Sequence, residues 1–193
     1  MNQNISNLDA KPLAAEAPQR ILRRAIGMAI FTLLTIVGAK IRIYLPFTPV
    51  PMTLQTLFVP LAGAFLGAGW GAGSMVLYLA LGLVGVDVFA AASTGNGLLF
   101  APTAGYLVGF VAAAAIAGWL TYRNPSHRKD LGAIVLAHVA IFVCGIAGLM
   151  INAHYSLSTA VEKGVLPFLL GDSLKTVASF LILTGYRVFR PKA

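Results

Sequence analysis

MTLQTLFVPLAGAFLGAGWGAGSMVLYLALGLVGV, residues 52–86, runs for 35 residues without a formal charge. As one helix rising about 1.5 Å per residue it would overshoot a bilayer core of about 30 Å, so the stretch has to fold back on itself. Gly67, Gly69, Gly71 and Gly73, clustered around Trp70, supply the break. The spacing predicts two short helices, at about 52–67 and 70–86, joined by a tight turn.

The rest of the chain extends this pattern. Of its 193 residues 58% are hydrophobic and 10% charged, and the mean hydropathy is +0.83. A soluble domain carries roughly a quarter of its residues as charges, so this composition belongs in lipid. A first span is expected over about 20–45, entered through Arg20, Arg23 and Arg24 and stopped by Pro46, Pro49 and Pro51, which cannot continue a helix. Further spans are expected over about 103–122, 131–155 and 166–189. Residues 87–102 (DVFAAASTGNGLLFAP) read as an ordered loop, RNPSHRKD (123–130) as a basic loop, and SLSTAVEKG (156–164) as a short polar connection.

The expected fold is therefore an all-α, polytopic membrane protein of six transmembrane helices. Residues 20–193 form a single membrane domain and residues 1–19 a polar tail without the apolar run of a signal peptide. Charge placement tests the count. Six spans starting inside put Lys11, Arg20, Arg23, Arg24, Arg123, Arg128, Lys129, Arg187, Arg190 and Lys192 in the cytoplasm, ten of the 14 bases. Lys40, Arg42 and Lys163 fall outside and Lys175 falls within a helix. Five or seven spans would destroy that segregation, so an even number with both termini cytoplasmic is favoured. The net charge of +8 is explained by this topology rather than by nucleic acid, because the bases are sparse and the aromatics lie in apolar runs.

Few residues carry chemistry. Asp172 and Lys175, in PFLLGDSLKTVASFLIL, stand at spacing i, i+3 on one helix face. A lone charge at the bilayer centre costs about 2.5–3.5 kcal/mol on insertion scales, so intramembrane charges read as functional. One reading is a mutual salt bridge anchoring the helix. The other is a binding pair, with the carboxylate accepting N–H donors and the ammonium donating to oxygen. Thr53 and Gln55 either cap the second helix or line a pocket, and Tyr78, Tyr106 and Phe100 read first as packing. Cys144, in IFVCGIAG, is a small buried apolar residue. His127 is loop, and His138 and His154 have no Cys, Asp or Glu at ligand spacing, so no metal site is expected. The chain has no phosphate-binding GxxxxGK[ST] loop and no nucleophile elbow, which argues against an enzyme or a self-powered pump.

PVPMTLQTL, starting at Pro49, GAFLGAGWGAGSMVLYLALGLVGVDVFA (63–90), APTAGYLVGF (101–110) and PFLLGDSLKT (167–176), in this order and spacing, resemble the biotin-specific S component of energy-coupling factor transporters, the BioY family. The resemblance implies a six-helix protein of the bacterial inner membrane. It would bind biotin from outside in a pocket capped by the loop between the first two helices, with no cofactor. It implies that Asp172, Lys175 and Asn96 hydrogen-bond the vitamin. Leu107 follows Gly105 and Tyr106 where some relatives carry Arg, so the valerate carboxylate is left to Lys175, to the hydroxyls of Ser93 and Thr94, or to backbone N–H groups. Tyr106 is included among the binding residues with Thr53 and Gln55. Ala25 and Ala29 form a small-xxx-small pair on the first helix, which the resemblance assigns to contact with a coupling membrane protein, itself served by a pair of ABC-type ATPases. The alternatives are an S component for thiamine or riboflavin, or an intramembrane enzyme or small proton-coupled carrier using Asp172.

Overall fold

The structure, a computed structural model, describes residues 18–90, 97, 100–122 and 126–189. Six helices of twelve residues or more make the body: α1 (Pro18–Lys40), α2 (Gln55–Leu66), α3 (Ala68–Leu83), α4 (Ala104–Thr121), α5 (His127–Asn152) and, after an eight-residue α6 (Leu157–Gly164), α7 (Leu169–Phe189). Among the described residues α1, α4, α5 and the segment 157–189 are long and apolar enough to cross a membrane, while α2 and α3 are shorter apolar helices. The expected all-α membrane architecture is what the chain forms.

The fold-back in residues 52–86 is accomplished by one residue. Gly67 has φ +87° and ψ 168°, a combination open to glycine and strained for any other residue. Its N–H donates to Gly63 O at 2.8 Å, closing α2, and its carbonyl accepts from Gly71 N at 2.9 Å, opening α3. Gly71 and Gly73 do not turn the chain but let helices touch, whereas Gly69 has open space around it. A Cβ on Gly71 would meet the backbone of Gly63, and one on Gly148 of α5 would lie 2.7 Å from Gly105 Cα of α4. Between membrane helices there is little hydrophobic force, so close backbone approach at small residues is a main source of cohesion. The interior between them is filled by Val59, Met75, Tyr78, Phe110, Ile141 and Leu149. Exposed side chains recur at helical spacing on the outside, as Leu22, Ile26, Ile30, Leu33 and Val37 on α1 and Leu170, Leu174 and Leu181 on α7, the faces a bilayer solvates.

Four expectations change. The first span stops at Lys40 rather than Leu45 because residues 42–43 leave the helix and pair antiparallel with 52–53, Arg42 opposite Thr53 and Ile43 opposite Met52. Here β1 (Arg42–Ile43) and β2 (Met52–Thr53) form a small ribbon within the proline-rich loop. Leu54 N then donates to both Gly38 O and Ile41 O at 3.1 Å, capping the end of α1. The fifth helix starts earlier than expected and takes in His127 and Asp130. Ser126 Oγ accepts from Lys129 N at 3.3 Å as its N-cap, a reason for a helix to begin inside a polar run. Asp130 is fully buried, with Arg187 Nη2 3.0 Å from its Oδ1, and Arg187 also donates to Thr121 O at 3.3 Å. That contact ties the ends of α4, α5 and α7 together. At its other end α5 stops at Asn152, and His154 takes a left-handed φ of 54°. Finally, the polar connection is helical: Ser156 Oγ accepts from Thr159 N at 3.3 Å and starts α6, whose Ala160 and Gly164 are buried. A 3₁₀ turn at Leu166–Phe168, containing Pro167, then leads into α7.

Candidate functional site

At the end of the bundle where α1 finishes and α7 begins, a cleft encloses about 570 Å³, its open mouth included. Its walls come from several segments distant in the chain. Val50, Pro51 and Thr53 enter from the ribbon loop, Gln55 and Thr56 from α2, Phe89 and Ala90 from the segment after α3, Tyr106, Leu107 and Phe110 from α4, Ile141 and Phe142 from α5, Phe168 from the 3₁₀ turn, and Asp172 and Lys175 from the start of α7. Such a mostly apolar wall with a few convergent polar groups is the usual form of a small-molecule site.

The polar groups interlock. Lys175 Nζ lies 2.6 Å from Asp172 Oδ1, and these side chains are only 13% and 7% exposed. Thr56 Oγ1 donates to the same Oδ1 at 2.8 Å and accepts from Lys175 Nζ at 3.1 Å. The triangle joins α2 to α7 and satisfies most of the cost of two buried charges. It leaves capacity on both sides. No described residue donates to Asp172 Oδ2, and the ammonium has a third N–H. A ligand offering an N–H donor beside a carbonyl acceptor fits that remainder. The helix supports the pair, because Thr176 Oγ1 donates to Asp172 O at 2.7 Å and bridges toward His138 Nδ1 at 3.3 Å.

Of the two readings of Thr53 and Gln55, the structure supports pocket lining; the N-cap position of α2 is Leu54, with no side-chain capping bond. Thr53 Oγ1 accepts from Gln55 N at 3.4 Å, bracing the start of α2, while both side chains line the cleft. Gln55 is locked by Thr53 Oγ1 on its Oε1 at 3.2 Å and by its own Nε2 donating to Tyr78 OH at 2.7 Å. Tyr78 in turn donates to Val88 O at 3.4 Å and meets Phe89 edge-on with ring centroids 5.2 Å apart. The floor thereby fixes the position of the wall at 88–90. Tyr106 presents its ring to the cleft but commits its hydroxyl to Gly164 O at 2.7 Å, pinning α4 to α6. Phe100 is 76% exposed and does not line the cleft. Asn96, Ser93 and Thr94 lie outside the described residues. Ala25 and Ala29 sit toward the far end of α1, Ala25 half-buried and Ala29 exposed, with Gly27 turned to Leu66 of α2.

Sequence reasoning missed Thr56, Phe89 and Phe168. Thr56 carried a weak signal: with Thr53 and Gln55 it makes the polar start of an otherwise apolar run. Phe89 and Phe168 look like any other apolar residue in their segments.

Comparison with known proteins agrees with this architecture. A crystal structure described as the S-component for biotin from an ECF-type ABC transporter has the same fold, with a TM-score of 0.81, 23% identity, and coverage of 91% of this chain and 96% of that one. A biotin transporter of Thermotoga maritima is 37% identical over 161 residues, 83% of this chain and 94% of the relative. A probable biotin transporter of Lysinibacillus sphaericus is 37% identical over 176 residues, covering 86% and 87%. A family model described as BioY family matches residues 4–192. With both sequence and fold aligned over nearly the whole length, this chain, a multi-pass protein of the cell membrane, belongs to the BioY family.

Proposed function

We propose that this chain is the biotin-binding membrane component, the S component, of an energy-coupling factor uptake transporter. The observation that carries the reading is the Asp172–Lys175–Thr56 triangle at the polar end of an otherwise apolar cleft. The ureido ring of biotin offers two N–H donors and one carbonyl acceptor on a fused apolar bicycle. Asp172 would take an N–H, Lys175 the carbonyl, and the aromatic walls the bicycle. Thr53, Gln55 and Tyr106 shape the cleft around them. Asn96, Ser93 and Thr94 are proposed as further biotin-binding residues. The names of the relatives, biotin transporters in Thermotoga maritima and Lysinibacillus sphaericus, support the same ligand.

Uptake against a gradient requires energy that this chain has no motif to supply. The partners proposed are a coupling membrane protein, docked at Ala25 and Ala29, and a pair of ABC-type ATPases. The topology proposed is six spans with both termini cytoplasmic and the cleft facing outward. It is supported by Arg20, Arg23, Arg24, Arg128, Lys129 and Arg187 at the end away from the cleft, against Lys40, Arg42 and Lys163 at the cleft end.

Isothermal titration of the detergent-solubilised protein with biotin, thiamine and riboflavin tests the ligand. Saturable binding of biotin alone is expected. Binding of thiamine or riboflavin in its place would refute the assignment, and uptake into liposomes driven by a pH gradient alone would refute the S-component reading.

A further inference from the structure

The headgroup triangle is electrically neutral, because Lys175 and Asp172 cancel within 2.6 Å. An acid such as biotin brings a further negative charge on its tail, which that pair does not match. The geometry points to Arg42, on the ribbon at the mouth, as the residue that recognises the tail carboxylate; this rests on the cleft being the biotin site.

The direction of Arg42 follows from the strand register. Arg42 is the direct partner of Thr53 across the antiparallel ribbon, and directly opposed residues project from the same face. Thr53 lines the cleft, so Arg42 projects to the cleft side, and Ile43 and Met52 project to the other. The guanidinium lands accordingly on the backbone of the facing wall: Nη1 donates to Phe89 O at 3.5 Å and also to Ala90 O, both residues of the cleft lining. Tyr44 adds support from the same loop, its hydroxyl donating to Ala90 O at 3.0 Å and its ring lying 5.3 Å from the guanidinium carbon.

These anchors hold the group without neutralising it. Carbonyl oxygens orient a guanidinium but carry no net charge, and among the described residues no carboxylate pairs with Arg42. The neighbouring cation Lys40 is matched by Asp87 at 3.0 Å. Lys163 also lacks an acidic partner among the described residues, but its hydrogen bond goes to Phe47 O at 3.2 Å, at the far turn of the loop and not to a lining residue. Among the described residues Arg42 is thus a cation without a carboxylate partner, held at the rim of the cleft against the backbone of its wall. Among the described residues Arg42 donates through Nη1 alone, so Nη2 and Nε keep a fork of N–H donors suited to a carboxylate. Bridging the ribbon to residues 89–90, it would also couple the mouth to the presence of an anionic tail.

The test is equilibrium titration of the full chain with biotin and with biotinamide, which has the same bicycle and a neutral tail. Wild type, Arg42→Gln and Lys163→Gln are compared. Wild type is expected to prefer the acid, and Arg42→Gln to lose roughly 5- to 30-fold in affinity for biotin, an exposed charge-assisted contact being discounted for screening. The amide should bind Arg42→Gln as it binds wild type, which also shows the variant is folded. Lys163→Gln should behave as wild type. The preference for acid should shrink as salt rises. Arg42→Gln that still discriminates acid from amide as wild type does overturns the inference while leaving biotin binding intact. An equal loss for acid and amide also overturns it, since the residue would then only shape the loop. Wild type that binds neither ligand overturns the site itself.

Discussion

Neutralising the two charges of the triangle singly and together separates a binding pair from a structural anchor. Asp172 and Lys175 are 7% and 13% exposed at the side chain and 2.6 Å apart. Removing one partner of a buried pair strands the other and typically costs about 3–5 kcal/mol. Here the lower part of that range applies, because Thr56 Oγ1 stays within hydrogen-bond reach of either survivor. Asp172→Asn and Lys175→Met should therefore each lower thermal stability clearly. The double variant strands no charge, and should recover most of the loss. Affinity should follow a different rule. A hydrogen bond to a charged group contributes about 1.5–3 kcal/mol, so each single variant should bind biotin about 10- to 100-fold more weakly. The double should be weaker still, since its contacts to the ureido group are gone. Isothermal titration supplies the affinities, and thermal unfolding in the same detergent supplies the stabilities. A double variant that regained both stability and wild-type affinity would reduce the pair to an anchor and refute the argument.

Other outcomes follow from single contacts. Tyr106→Phe removes a buried hydrogen bond to Gly164 O and should cost about 1–2 kcal/mol of stability while leaving biotin affinity within about twofold, because the hydroxyl is already occupied; a large affinity loss in titration would show that it serves the ligand. Gly67→Ala should destabilise by about 1–3 kcal/mol through its φ of +87°, whereas Gly69→Ala, with nothing within 4 Å of the added carbon, should stabilise the start of α3; equal effects on melting temperature would contradict the one-residue turn. Ala29→Trp, on the exposed side of α1, should abolish co-purification with a coupling membrane protein yet spare biotin binding, and loss of both would mark a structural role. An alkaline phosphatase fusion at Gly164 should be active and one at Pro125 inactive, and the reverse pattern would invert the proposed orientation.

Much of this protein was written in local sequence. Apolar run lengths, set against a bilayer of fixed thickness, and the glycine and proline breaks between them determined the number of main helices and their approximate places. Asp172 and Lys175 stood out because a charge inside an apolar helix is expensive wherever the helix packs. What local sequence left open depended on partners distant along the chain. The end of α1 is set by Leu54 reaching back to Gly38 and Ile41, and the buried place of Asp130 by Arg187 on α7. Thr56 acquires its role only when α2 meets α7 and brings its hydroxyl to Asp172, 116 residues away. Arg42, read from sequence as one more outward-side base, reaches the carbonyls of Phe89 and Ala90 on the cleft wall from a ribbon register that sets it opposite Thr53. A run of residues can specify a helix through its own periodicity and solvent, but which side chains converge on one small volume is fixed by packing between segments, and only the tertiary structure decides that.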